Sequence, residues 1–250
     1  MSLPAVSALR PLPFDLVEED GQPVEDPLHI VQMSFLDHLI RRAMAEQGRT
    51  DFYSGMNMFV YYSVEQAREV ALEVEKDLPE KAFRGPDIFF VDGVDPRERR
   101  IWVAWEEDGR LPDVIFELMS PSSRSRDRKL KKALYAQTFG TAEYYIYDWN
   151  RRKLEGYRLA AAWGIYEPMP LDVRGRFWSE KLGAAVGLWH GLREDHEYTW
   201  VRLFHADGSL VPTEAEAERQ RADTERQRAD AAEAELARLR ALLERAPGDP

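Results

Sequence analysis

Two carboxylates and a lysine occur in this chain in an order suited to phosphodiester chemistry. Asp87 follows Gly85-Pro86 at the head of an apolar run. Glu117 lies within Pro112-Asp113-Val-Ile-Phe-Glu117-Leu-Met-Ser120-Pro121, and Asp127, Lys131 and Tyr135 follow at four-residue spacing. Two acids can hold a Mg²⁺ (or Mn²⁺) ion that keeps several waters and takes phosphate oxygens. A lysine beside them steadies charge developing on the nucleophile or the phosphate. The chemistry suggested is metal-assisted hydrolysis of DNA.

Each residue also has an ordinary explanation. A Pro-Asp before a strand is a common turn, in which proline sets φ and aspartate caps the turn. Glu117 is harder to explain that way, because it interrupts the apolar segment 114–119. A carboxylate inside a buried strand is costly unless it is paired or binds a cation. Strand alternation puts Glu117 on one face with Asp113, Ile115 and Met119, which makes Asp113 a supporting candidate. The alternative to a metal is a buried ion pair with Arg84 or with a lysine of the next helix.

That helix opens with six basic residues, Arg124, Arg126, Arg128, Lys129, Lys131 and Lys132, against one acid, Asp127. A charge run is ordinarily a solvated face. In a chain of net charge −11 this segment is a local exception able to meet a phosphate backbone, with Arg124, Arg126, Arg128, Lys129 and Lys132 as the contacts. The i, i+4, i+8 spacing of Asp127, Lys131 and Tyr135 lets all three face the preceding strand, where Asp127 and Tyr135 would orient Lys131. Leu130 and Leu134 are expected to pack on the sheet.

Other schemes find no support. The chain has no cysteine, so thiolate catalysis and Cys-ligated zinc are excluded. Its five histidines, His29, His38, His190, His196 and His205, form no metal-ligand spacing and read as structural or exposed. Neither a Gly-x-Ser-x-Gly elbow nor a glycine-rich phosphate loop occurs. No apolar stretch reaches the roughly 18 residues of a membrane span or resembles a leader, so a cytoplasmic chain without membrane contact is expected.

The elements that must position these residues follow from periodicity. Residues 28–47 carry apolar positions at helical spacing, 51–63 are aromatic and strand-like, and 65–77 lean toward extended structure because Val70, Leu72 and Val74 alternate. Further strands are expected at 88–91, 100–105, 113–119, 143–148, 154–159 and 163–169, with short strands and loops over 177–203. A helix spans 125–139 and ends at Gly140. The pattern is α+β (α/β-like), a mixed sheet flanked by helices. With 250 residues and 44% hydrophobic content, one sizeable core is expected. Residues 1–27 form a loosely ordered entry, 28–211 the main domain and 212–250 a charged helical tail. In the tail, Glu218-Arg-Gln-Arg-Ala-Asp223 recurs seven residues later as Glu225-Arg-Gln-Arg-Ala-Asp230. Seven-residue repetition gives a helix with a stripe. Its second half suits a coiled-coil seam between copies, and its first half a solvated helix with pairs such as Arg219–Asp223 and Arg226–Asp230.

Taken in order, Gly85-Pro86-Asp87-Ile-Phe-Phe-Val91, Trp105-Glu-Glu107, the Pro112–Ser122 segment, Asp127-x-x-x-Lys131-x-x-x-Tyr135 and Glu143-Tyr-Tyr-Ile-Tyr-Asp148 resemble the Uma-two family of putative restriction endonucleases, within the PD-(D/E)XK nuclease superfamily. Leu154–Leu159, Ser179–Gly183 and Leu210–Glu214 resemble the family's later segments. The resemblance implies a restriction-endonuclease-like mixed sheet of four or five strands flanked by helices, with Asp87 and Glu117 as Mg²⁺ ligands. The superfamily pattern places a lysine two residues after the second acid, where this chain has Met119, so Lys131 is the candidate substitute. A non-catalytic module with the same fold, binding nucleic acid or a protein partner, is the alternative reading.

Overall fold

The computed structural model describes residues 12–17, 27–76, 78, 85–119, 125–160 and 164–245, with the side chains of 125–128 and 242–245 outside that description. The chain divides into two compact units, Met1–Leu210 and Val211–Pro250.

The first unit is built on a six-stranded mixed sheet. Its strands are β1 (Phe52–Met56), β3 (Ile88–Asp92), β5 (Val114–Met119), β6 (Glu143–Asp148), β7 (Lys153–Ala160) and β8 (Ile165–Pro168), side by side in that order. Only β5 and β6 run parallel; the other neighbours are antiparallel. A second, antiparallel sheet has β10 (Ala184–Arg193) between β9 (Phe177–Ser179) and β11 (His196–Phe204), and β2 (Val60–Tyr61) pairs parallel with β4 (Trp102–Val103). The mixed sheet and flanking helices expected from the sequence are present, with six strands where the family resemblance implies four or five. Residues 184–204 form one long hairpin instead of short strands and loops.

Helix α1 (Pro27–Glu46) buries Met33, Phe35, Leu36, Leu39, Ile40, Ala43 and Met44, the i, i+3, i+4, i+7 stripe its sequence carries. It packs on β1, β3 and β11. The link to β11 is polar: the buried Gln32 amide donates to the Val201 carbonyl at 3.1 Å and accepts the Val201 N–H at 2.7 Å. Losing such a pair would leave two buried backbone groups unsatisfied, each at about 1–3 kcal/mol. The other face of the six-stranded sheet carries Tyr53, Phe89, Val91, Ile115, Tyr144, Ile146 and Tyr166, packed with Trp102, Tyr135 and Phe139.

Three local expectations are corrected. Residues 64–75 form a helix, α2 (Val64–Glu75), because Ser63 caps its first turn through the Gln66 N–H at 3.1 Å and Gln66, Ala67 and Val70 turn inward. Leu72 and Val74, whose alternation suggested a strand, are exposed. The aromatic run 51–63 breaks into β1 and β2, with Asn57 at φ 47° between them. Residues 100–105 yield only the short β4, followed by a 3₁₀ turn at Ala104–Glu106.

The helix after β5, α3 (Ser125–Leu134), runs into a wider π turn over Tyr135–Phe139 and stops at Gly140, which is left-handed at φ 64°. Leu134 packs against the core as expected. Leu130 does not, being 63% exposed.

The second unit contains α4 (Glu214–Arg245), 32 residues long. Its start is a capping box: Thr213 Oγ1 accepts the Glu216 N–H at 3.2 Å and Glu216 accepts the Thr213 N–H at 2.8 Å, satisfying two donors the first turn leaves orphaned. Arg221 pairs with Glu218 and Arg238 with Glu235 at i, i+3 spacing. No described helix is long and apolar enough to cross a membrane.

Candidate active site

The antiparallel register of β3 and β5 decides where the two acids meet. Ile88 lies opposite Phe116 and Phe89 opposite Ile115, so continuing by one residue sets Asp87 opposite Glu117 on the same face. The Leu118 N–H donates to Asp87 Oδ2 at 2.6 Å and locks the pair. Residues far apart in the chain become cross-strand neighbours.

Gly85 makes this approach possible. A Cβ at that position would lie 1.8 Å from the Met58 carbonyl oxygen, so no larger residue fits without moving the backbone. The Asn57 N–H bonds the Asp87 carbonyl at 2.9 Å. The Gly85-Pro86-Asp87 turn is thereby clamped to the loop between β1 and β2, and Asp87 enters β3 at a fixed angle.

Glu117 is 7% exposed. Lys131 Nζ lies 2.9 Å from its Oε2, and the Tyr135 hydroxyl donates to Oε1 at 2.5 Å. Burial pushes the Glu117 carboxyl up to about 7; the Lys131 ammonium opposes that rise, the Asp87 charge adds to it, and the Tyr135 and Lys131 hydrogen bonds oppose it. The Tyr135 hydroxyl is held well above its ordinary value, by burial first and by Glu117 next. Glu117 is thus sealed, whereas the side chains of Asp87 and Lys131 keep 22% and 26% of their surface in water.

The structure therefore brings together Asp87, Glu117, Lys131 and Tyr135. Asp113 belongs elsewhere. It stands four residues before Glu117, about 13 Å along the strand, where it accepts the Asp92 N–H at 2.9 Å and pairs with Lys181 at 2.8 Å. That network ties the approach to β10 onto the main sheet. Lys129 is exposed, while the Lys132 ammonium sits 3.3 Å from the centre of the Tyr157 ring. Arg84 and Arg124, and the side chains of Arg126, Asp127 and Arg128, lie outside the described residues.

One neighbour has no signal in the sequence. His29, in the first turn of α1, places Nε2 3.2 Å from Asp87 Oδ1, whereas spacing alone marked it as structural or exposed. Helix and turn are distant in the chain, and no short motif joins them.

The donor set fits a hard divalent cation. Asp87 Oδ2 and both Glu117 oxygens accept the hydrogen bonds above and each keeps a further lone pair, and the partly exposed Asp87 leaves the pair open on one side to an ion that retains water. Among the described residues no group of three His, Asp or Glu side chains is arranged as a metal site.

Residues 20–193 match the sequence model of the Uma2 family, described as "Putative restriction endonuclease". The chain belongs to the Uma2 family. Its membership makes it a nuclease-family protein and implies a nucleic acid substrate. Among solved structures it is similar to a "putative nuclease" from Anabaena variabilis ATCC 29413, with 16% identity, 61% of this chain and 76% of that one covered, and a TM-score of 0.38. The comparison with curated proteins finds no match. The Uma2 match spans α1, the acid-bearing strands and α3, so every residue of the cluster lies within it.

Tyr135→Phe removes a hydrogen bond that favours the ionised Glu117. The Glu117 carboxyl titration, followed by NMR, is expected to move to higher pH in the variant while the fold is kept.

Proposed function

We propose that this protein is an endonuclease that hydrolyses DNA phosphodiester bonds with Mg²⁺ or Mn²⁺ held by Asp87 and Glu117. The observation carrying this reading is the cross-strand placement of the two carboxylates with Lys131 Nζ 2.9 Å from Glu117 Oε2. The ion, when bound, would supply Lewis-acid neutralisation of charge on a phosphate oxygen. Asp87, partly in solvent, offers the carboxylate edge nearest the substrate. Lys131 brings a positive charge from α3 to the space a lysine at position 119 would serve, and steadies charge on the attacking water or the phosphate. Tyr135 keeps its proton and fixes Glu117 by donating to Oε1. The exposed Lys129, in a segment whose sequence also carries Arg124, Arg126 and Arg128, would give the DNA backbone basic contacts.

The test is cleavage of plasmid DNA by the purified full chain with Mg²⁺ or Mn²⁺. Asp87→Ala and Glu117→Ala are each expected to lower the rate by more than about 100-fold, since even residues behind a metal ligand matter at the 10- to 100-fold level. Equal cleavage by the variants would refute the assignment.

A second reading, a non-catalytic module with this fold, draws on Met119 and on the Lys131 and Tyr135 bonds that occupy one lone pair on each Glu117 oxygen. Calorimetric titration with Mg²⁺ separates the two: the nuclease binds the ion, and a module closed by its salt bridge does not.

The Glu117 shift sets a pH dependence. An acid raised above its ordinary value of 4.5 to about 7 in the folded chain favours folding when protonated. That contribution is complete below pH 4.5 and is lost as pH rises through 7. Glu117→Gln, which carries no charge to bury, should therefore melt higher than the parent at pH 8 in EDTA, and the gap should close toward pH 5. Metal affinity of the parent should follow the opposite course, falling as pH drops through 7, because the ion needs the ionised carboxylate.

We further propose that the repeated tail joins copies of the chain through its second half. Deleting residues 213–250 is expected to lower the mass measured by sedimentation equilibrium to that of a monomer; an unchanged oligomeric state would remove the tail from assembly.

A further inference from the structure

Asp87 and Glu117 repel each other, and the Asp87 charge is one of the causes that push the Glu117 carboxyl up. A carboxylate at the mouth of a strand turns away from such a neighbour unless something holds it. Asp87 precedes the first residue of β3, so the strand ladder does not fix its side chain. Two contacts do. The Leu118 N–H fixes Oδ2 from within the sheet, and His29 Nε2, 3.2 Å away, faces Oδ1 from α1. One partner on each oxygen defines both side-chain torsions.

We propose that His29 is a positioning residue of the metal site, holding Asp87 in the orientation that faces Glu117. The inference rests on the reading of Asp87 and Glu117 as metal ligands. The His29 side chain is only 13% exposed, so this is not a loose surface pair screened by solvent. Its base is also fixed: less than one turn further along α1, Gln32 bonds both backbone groups of Val201 on β11. The imidazole thus links the carboxylate to a helix anchored on the second sheet. A partner that donates to a ligating carboxylate from behind aims its remaining lone pairs at the ion and typically governs affinity at the 10- to 100-fold level.

The test compares His29→Gln, His29→Asn and His29→Ala in the full-length chain. Glutamine places an amide donor near the position of imidazole Nε2, while asparagine ends near Nδ1 and does not reach Asp87. The readout is the Mn²⁺ or Mg²⁺ concentration giving half of the metal-induced rise in melting temperature, which needs no activity. His29→Ala and His29→Asn are expected to require about 10- to 100-fold more metal than the parent, and His29→Gln to stay close to it. In EDTA the Gln and Asn variants should melt together. Should His29→Ala fail to fold, the Gln and Asn pair decides alone. Gln and Asn variants that bind metal alike, or a folded Ala variant that matches the parent, would overturn the positioning role and leave the metal site standing. A parent chain whose melting responds to neither ion would overturn the metal site and this inference with it.

Discussion

Glu117 carries its charge into the middle of a buried strand, and the surrounding structure is organised by the need to compensate it. Val114, Ile115, Phe116 and Leu118 around it are 0–4% exposed, so water cannot solvate the carboxylate. Lys131 and Tyr135 answer this from α3 and the π turn, each taking one oxygen. The compensation is incomplete, since the carboxyl still rises to about 7. Replacing such a group by an apolar residue would ordinarily stabilise a core. A site that keeps an undercompensated acid beside a second acid has the electrostatics that a divalent cation relieves.

The elements around this pair serve its placement. The β3–β5 register sets the acids opposite each other, and Gly85 lets the turn before β3 press against the Met58 carbonyl. The π turn lets Tyr135 point into the sheet, where it packs edge-on against Tyr144 with ring centres 5.2 Å apart. Helix α1 closes the arrangement from the other side, and Gln32 fastens it to β11. The second sheet therefore reaches the site without contributing a residue to it. Its grip on the main sheet runs through Lys181 with Asp113 and through Ser179 and Glu180 with the buried Glu143.

Strands with apolar runs and sharp boundaries were legible in the sequence. Residues 113–119 end at Ser-Pro, and 143–148 are so rich in tyrosine and isoleucine that the strand falls on the expected residues. In the segment 65–77 Val70, Leu72 and Val74 alternate as in an edge strand, a pattern a short amphipathic helix can also show. The Ser63 cap and the burial of Gln66 and Ala67 decided for helix. Asp113 was grouped with Glu117 by face alone; sharing a face does not bring together residues at opposite ends of a strand. Leu130 was expected to pack because it is apolar, but the turn it occupies faces water.

By itself the sequence singled out Asp87, Glu117, Lys131 and Tyr135 as candidates, since their local signals are short-range: an acid in an apolar strand, a lysine and a tyrosine one turn apart. It also determined the helical tail, through a repeat that only a helix uses. The tertiary structure alone decided that Asp87 meets Glu117, that Lys131 reaches it, and that His29 stands behind Asp87. These are cross-strand and helix-to-turn contacts between distant segments. They are set by strand register and by the close approach of backbone at Gly85, and neither leaves a periodic trace in the chain.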